Sequence, residues 1–102
     1  MKRATRPPAG YKFAEPATCQ FGDIIYPLPR MQEGTRRREP IKADDARILL
    51  FEISPADYNR FFFGDIYPEF DQICWMVIDV DGSPCHRPIV IGLSTFWLKK
   101  KE

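Results

Sequence analysis

The chain has 102 residues, of which 44% are apolar and 28% charged, with a net charge of +1. These values fit one globular domain and exclude a disordered tail or a helical membrane protein, since the longest uncharged apolar run, Ile73 to Ile78, is far below a bilayer span. Three cysteines cannot all pair and are too few for a disulfide scaffold, and the opening MKRATRPPAG has no apolar segment behind its basic residues; no secretory signal is expected, and the compartment reads as reducing and cytoplasmic.

Ten prolines are roughly twice the average usage of about 5%, which disfavours long helices and favours short strands. The small net charge hides an asymmetry. Residues 1–43 carry nine Lys/Arg and four Asp/Glu (+5), residues 44–81 two and nine (−7), and residues 82–102 four and one (+3). Such separation bears on partners rather than on fold.

Residues 1–10 read as a flexible basic arm, since Pro7 and Pro8 favour extended geometry and nothing bulky precedes Tyr11. Tyr11 to Ala14 is a short strand, Glu15 to Thr18 a turn, and Cys19 to Tyr26 a second strand with a break at Gly22, stopped by Pro27 and Pro29. Residues 30–45 show no sustained periodicity and read as a long loop. Arg47 to Ile53 is a strand with two largely apolar faces. Ser54-Pro55-Ala56-Asp57 is a helix start, with a capping hydroxyl and proline at the first helical position. The helix is expected to run to Phe63 and stop at Gly64, with Tyr58, Phe61 and Phe62 on one face. Ile73 to Val80 is the strongest strand, with Ile73, Trp75 and Val77 opposite Cys74, Met76, Ile78 and Val80. A turn at Asp81 to Pro84 leads into one long strand, Arg87 to Leu98, forming an antiparallel hairpin. The expected class is mainly β (α+β): a small antiparallel curled sheet or partly open barrel of about five strands with one short helix. The domain spans residues 11–98, and residues 99–102 form a basic tail.

Four residue groups bear on chemistry. Asp79-Val80-Asp81-Gly82-Ser83 resembles the D-x-D-G-[T/S] signature of haloacid-dehalogenase-type phosphatases, where one Asp attacks phosphorus and the next moves the proton. That family needs a large doubly wound domain after the motif, and 19 residues follow Ser83, so a strand ending in an Asp-Gly turn is expected instead. Cys85 and His86, with Cys19 and Cys74, are zinc-type ligands without C-x-x-C spacing or a second histidine; no metal site and no cofactor are expected. With one histidine and no phosphate-cradling glycine loop, no catalytic residues are assigned and the chain is read as a non-enzyme. The third group is basic: Lys2, Arg3 and Arg6; Arg36, Arg37 and Arg38 with Lys42; Lys99, Lys100 and Lys101. It holds ten of the fifteen cations, so an arm, a loop and a tail are candidates for phosphate contacts. The fourth is Asp57 to Asp71, with six of the fourteen aromatics among acidic residues. Three consecutive phenylalanines cannot all face one core from a short helix, so Asp57, Phe61, Phe63, Asp65, Tyr67, Glu69 and Asp71 are the expected protein interface. Phe21 to Pro27 and Phe63 to Pro68 share a Phe-Gly-Asp-Ile core, read as recurring turn chemistry.

Gly10-Tyr11-Lys12-Phe13-Ala14-Glu15-Pro16 followed by Gln20-Phe21-Gly22-Asp23-Ile24-Ile25-Tyr26 resembles a strand–turn–strand segment of small bacteriophage and prophage proteins, with Ala17-Thr18 where those usually carry Gly-Glu. The resemblance covers about seventeen residues and implies a viral accessory protein in the host cytoplasm. The function expected is non-catalytic binding of a protein partner, with inhibition of a host enzyme or defence complex as one form. The alternatives are nucleic-acid binding through Arg36–Arg38, Lys42 and Lys99–Lys101, and a structural subunit of a virion-type assembly.

Overall fold

The computed structural model describes residues 6–61, 72–85, 87–92 and 95–101. Six strands form one antiparallel sheet: β1 (Tyr11–Phe13), β2 (Ile24–Pro27), β3 (Arg47–Ile53), β4 (Ile73–Asp79), β5 (Ile89–Ile91) and β6 (Trp97–Lys100), with one helix, α1 (Pro55–Asn59), between β3 and β4. Their spatial order is β1-β6-β2-β3-β4-β5. Strands β1 and β5 are the two edges and do not pair, so the sheet is open.

Five expected strands become six because residues 87–98 do not form one strand. Thr95 closes a tight turn on Gly92: its hydroxyl accepts from the Gly92 N–H at 2.8 Å and donates to the Gly92 carbonyl at 3.1 Å. Strand β5 stays beside β4, with Trp75 opposite Ile89 and Ile73 opposite Ile91, as the hairpin expectation requires. Strand β6 instead crosses to the other end of the sheet and inserts between β1 and β2.

Strand β2 begins at Ile24, five residues later than the sequence reading put it. Gly22 has φ +87°, a conformation that suits glycine, and the Asp23 carboxylate accepts from the Gln20 N–H at 2.9 Å. Glycine and Asp therefore serve the turn, as expected. Helix α1 starts as expected, with the Ser54 hydroxyl accepting from the Asp57 N–H at 3.1 Å and Pro55 in the first turn. It ends at Asn59, short of Phe63. The Arg60 and Phe61 N–H groups reach back three residues, to the Asp57 and Tyr58 carbonyls, tightening the last turn rather than extending the helix. Phe62, Phe63 and Gly64 lie outside the described residues.

The long loop expected over residues 30–45 is a built element. Glu39 N–H donates to the Arg30 carbonyl at 2.8 Å and Gln32 N–H to the Arg37 carbonyl at 2.7 Å, with Met31 bridged to Arg38. Gly34, at φ +73°, turns this small hairpin. A single 3-10 turn, Ala43–Asp45, then leads into β3.

Two apolar clusters lie on opposite faces of the sheet. Ala14, Ile25, Leu49, Trp75, Val77 and Ile91 form the first; Tyr26, Ala46 and Leu98 form the second, with Tyr11, Phe13, Leu28 and Ile41 against it. Neighbouring residues of a strand point to opposite faces, so β2 alone serves both, through Ile25 (0% exposed) and Tyr26 (7%). One ion pair clamps neighbouring strands: Lys99 Nζ of β6 lies 2.9 Å from Oδ2 of Asp23, the residue before β2, both side chains mostly buried. No helix among the described residues is long and apolar enough to cross a membrane.

Candidate functional site

The face of Tyr26 continues across β2, β3 and β4 without a covering layer among the described residues. The register sets Ile24 opposite Ile48 and Ile48 opposite Ile78, a three-strand isoleucine row. Beyond it the β3–β4 register shifts between Leu49 and Phe51, so that Phe51 faces Met76. Such a bulge inserts one residue and reverses which face the next side chains occupy. It moves Phe51 from the interior face, shared by Leu49 and Val77, to the outer one. Phe51 is 55% exposed, Phe61 42% and Ile24 44%.

Helix α1 sits at the end of this row. Tyr58 is buried, and burial, with Cys74 nearby, pushes its hydroxyl pKa up. Phe51, Ile53, Met76 and Phe61 line a shallow recess of about 290 Å³ rimmed by Asp57 and Arg60, which form an exposed pair at 3.5 Å. Of the expected interface residues, the structure therefore brings Asp57 and Phe61 to one patch. Phe63, Asp65, Tyr67, Glu69 and Asp71 lie outside the described residues. Phe51, Met76 and the isoleucine row were missed as site residues. The alternation of β4 offered a signal for Met76 and Ile78, whereas the bulge that exposes Phe51 leaves none in RILLFEI.

The basic residues separate into different settings. Arg36, Arg37 and Arg38, on the small hairpin, line an open cleft of about 770 Å³ with Arg6, Tyr11 and Met31. Lys42 lines a different recess, beside Pro29, Arg30 and Asp45. Lys99 is engaged by Asp23 and also donates to the Thr18 carbonyl at 3.2 Å. Lys100 holds its ammonium 5.7 Å from the Tyr26 ring centroid. Lys101 is exposed, its N–H donating to the Gly10 carbonyl at 2.9 Å. Lys2 and Arg3 lie outside the described residues.

The Asp79–Ser83 segment is a turn held by its own side chains. Asp79 Oδ1 accepts from the Cys85 thiol at 3.1 Å and lies 3.3 Å from Arg47 Nη1. Asp81 Oδ1 accepts from the Ser83 N–H at 2.9 Å, and the hydrogen bonds from Ser83 lower its pKa. The Gly82 N–H meets the Asp79 carbonyl at 2.9 Å, with Gly82 at φ +88°. The two carboxylates are thus used in different contacts of one turn. Burial, then the bond to Asp79, pushes the Cys85 thiol up, away from the thiolate a nucleophile requires. Cys19, Cys74 and Cys85 are free, and no group of three metal-ligating side chains forms among the described residues. Compared with protein-family models, with curated proteins and with solved structures, the chain matches none.

Proposed function

We propose that this protein is a non-catalytic binding module that recognises a protein partner through the outer face of β2, β3 and β4. The observation that carries the reading is the exposed Phe51, opposite the half-buried Met76 at the recess bounded by Phe61, continuous with Ile48, Ile78 and Ile24. A contiguous apolar patch with a polar rim is what protein interfaces present, and aromatic side chains in shallow pockets supply most of their binding energy. Residues 44–81, which supply β3, α1 and β4, hold nine acidic and two basic residues. The partner surface that fits is apolar at its centre and basic at its rim. With the phage likeness of residues 10–26, a host enzyme or defence complex inhibited by this contact is the partner class we favour.

The test is capture of a partner by the wild-type chain and by the double variant Phe51→Ser/Phe61→Ser, with Asp57→Lys as a rim probe. Both phenylalanines are largely exposed, so the double variant keeps its melting temperature. The expected result is a foreign protein held by the wild type, lost with the double variant and weakened with Asp57→Lys. Capture unaffected by the double variant overturns the reading. So does light scattering that shows the face covered by a second copy of this chain.

A further inference from the structure

The cleft beside β1 has a different chemistry from the outer face of β3 and β4, and its argument is independent of that face. Three arginines enter it from the hairpin at residues 30–39 and a fourth, Arg6, from the arm. Nothing among the described residues pairs with the guanidinium groups of Arg6, Arg36 or Arg37, whereas Arg38 Nη1 is held by the Pro29 carbonyl at 2.6 Å. Glu39 is the one acid lining the cleft among the described residues. Its remaining wall is not polar: Tyr11 and Met31 present a ring and a thioether, Met31 being 47% exposed.

The cationic surface continues beyond the cleft. Tyr11 stands opposite Lys100 in the β1–β6 register and packs edge-on against Tyr26, ring centroids 5.6 Å apart. Lys100 lies over that second ring. Lys100 therefore stands beside Tyr11 at the border of the arginine cleft, and itself lines the neighbouring recess with Tyr26. Arg6 and Arg36 are 30 residues apart in the chain and Arg36 and Lys100 are 64 apart, so the fold assembles this cationic surface.

We propose that this cleft binds single-stranded nucleic acid, the phosphates lying along the arginines and Lys100 and a base resting against Tyr11 and Met31. Arginine is the side chain suited to phosphate, through its planar fork of donors, and an exposed ring or apolar wall beside a cationic groove takes bases without regard to sequence. A compact acidic protein would use the cations and leave the apolar wall unused. A duplex fits poorly, because its bases are already paired and stacked on one another and leave Tyr11 and Met31 unused, and helix α1, the element that could enter a major groove, is remote from the cleft. Helix α1 is five residues long and packs on β4, three strand spacings from β6 and four from β1, about 14–19 Å away.

Fluorescence anisotropy of the full chain with labelled twelve-nucleotide oligo(dT) and oligo(U) tests this, from 50 to 200 mM KCl. Binding is expected at 50 mM KCl, with log K falling against log salt at a slope of roughly −3, as four or five phosphate contacts give for single strands. Arg36→Glu/Arg37→Glu weakens binding at least tenfold and makes the slope shallower by about 1.4, two contacts' worth. Tyr11→Leu lowers affinity at least threefold and leaves the slope unchanged, and Tyr11→Phe restores it. Phe51→Ser/Phe61→Ser binds the oligonucleotides as the wild type does. Four results overturn the proposal: no binding at 50 mM KCl; polyglutamate of equal charge bound within threefold of oligo(dT); a twelve-base-pair duplex bound more tightly than either single strand; or Arg36→Glu/Arg37→Glu binding unchanged.

Discussion

Removing the Asp23 carboxylate tests how much one ion pair contributes to clamping β6 against the turn that leads into β2. Asp23 precedes β2 and Lys99 lies in β6, and their 2.9 Å contact has side chains only 17% and 16% exposed. Asp23 Oδ2 also accepts the Gln20 N–H at 2.9 Å. Asp23→Ala therefore deletes two charge-assisted bonds. The Gln20 N–H is exposed and rehydrates, which limits that loss to about 0.5–1 kcal/mol. The Lys99 ammonium is worse placed, since its remaining bond is to the Thr18 carbonyl at 3.2 Å and little water reaches it. Leaving such a charge without its counter-ion costs about 2 kcal/mol, below the 3–5 kcal/mol of a fully buried pair because the site keeps some solvent. The total is about 2–3 kcal/mol, a large part of the stability of a domain this size. Melting should fall by roughly 10–20 °C. Urea unfolding followed by tryptophan fluorescence reads the change, because Trp75 is buried in the first cluster. Lys99→Met removes the charge and keeps the stem, so Asp23→Ala/Lys99→Met recovers about 1–2 kcal/mol relative to Asp23→Ala alone. A loss below about 0.5 kcal/mol for Asp23→Ala, or strictly additive effects in the double variant, would falsify this account.

Leu49 is fully buried opposite Val77 in the first cluster. Leu49→Ala should destabilise by about 3 kcal/mol with an unchanged denaturant slope; a loss under 1 kcal/mol would mean that this face is not the main core. Burial, opposed by Lys99 and aided by Asp23, pushes the Cys19 thiol up to about 11. The unfolded chain thus releases this proton first, near its ordinary value of 9.0, and the folded chain only at higher pH. The stabilisation is complete below about pH 9 and is lost as pH rises through about 11. Urea midpoints from pH 8 to 11 should fall more steeply for the wild type than for Cys19→Ala, and parallel curves would refute the shift. Alkylation of Cys19 at pH 8 should be at least tenfold slower in the folded chain than in urea, since the neutral thiol is a poor nucleophile; equal rates would count against its burial.

Elements whose signals are local could be read from the residues alone. RILLFEI and ICWMVID carry dense β-branched and aromatic residues, and both are strands. Ser54, Pro55 and Asp57 start a helix within four residues, and Gly22 and Gly82 take the positive φ that their turns need. The acidic block and the arginine triplet were legible as charge, because charge needs no neighbours to be counted. Partnership was not legible. A continuous β-favouring run from Arg87 to Leu98 does not reveal that Thr95 folds back on Gly92 and sends β6 between β1 and β2. The bulge that turns Phe51 outward depends on β4 alongside it. Lys99 reads as part of a solvated tail until Asp23, 76 residues earlier, is placed beside it. Arg6 joins Arg36 only once the arm and the hairpin border one cleft. Turns and caps are settled by atoms a few bonds apart, whereas strand order, exposed face and site composition follow from which distant segments bury apolar surface together.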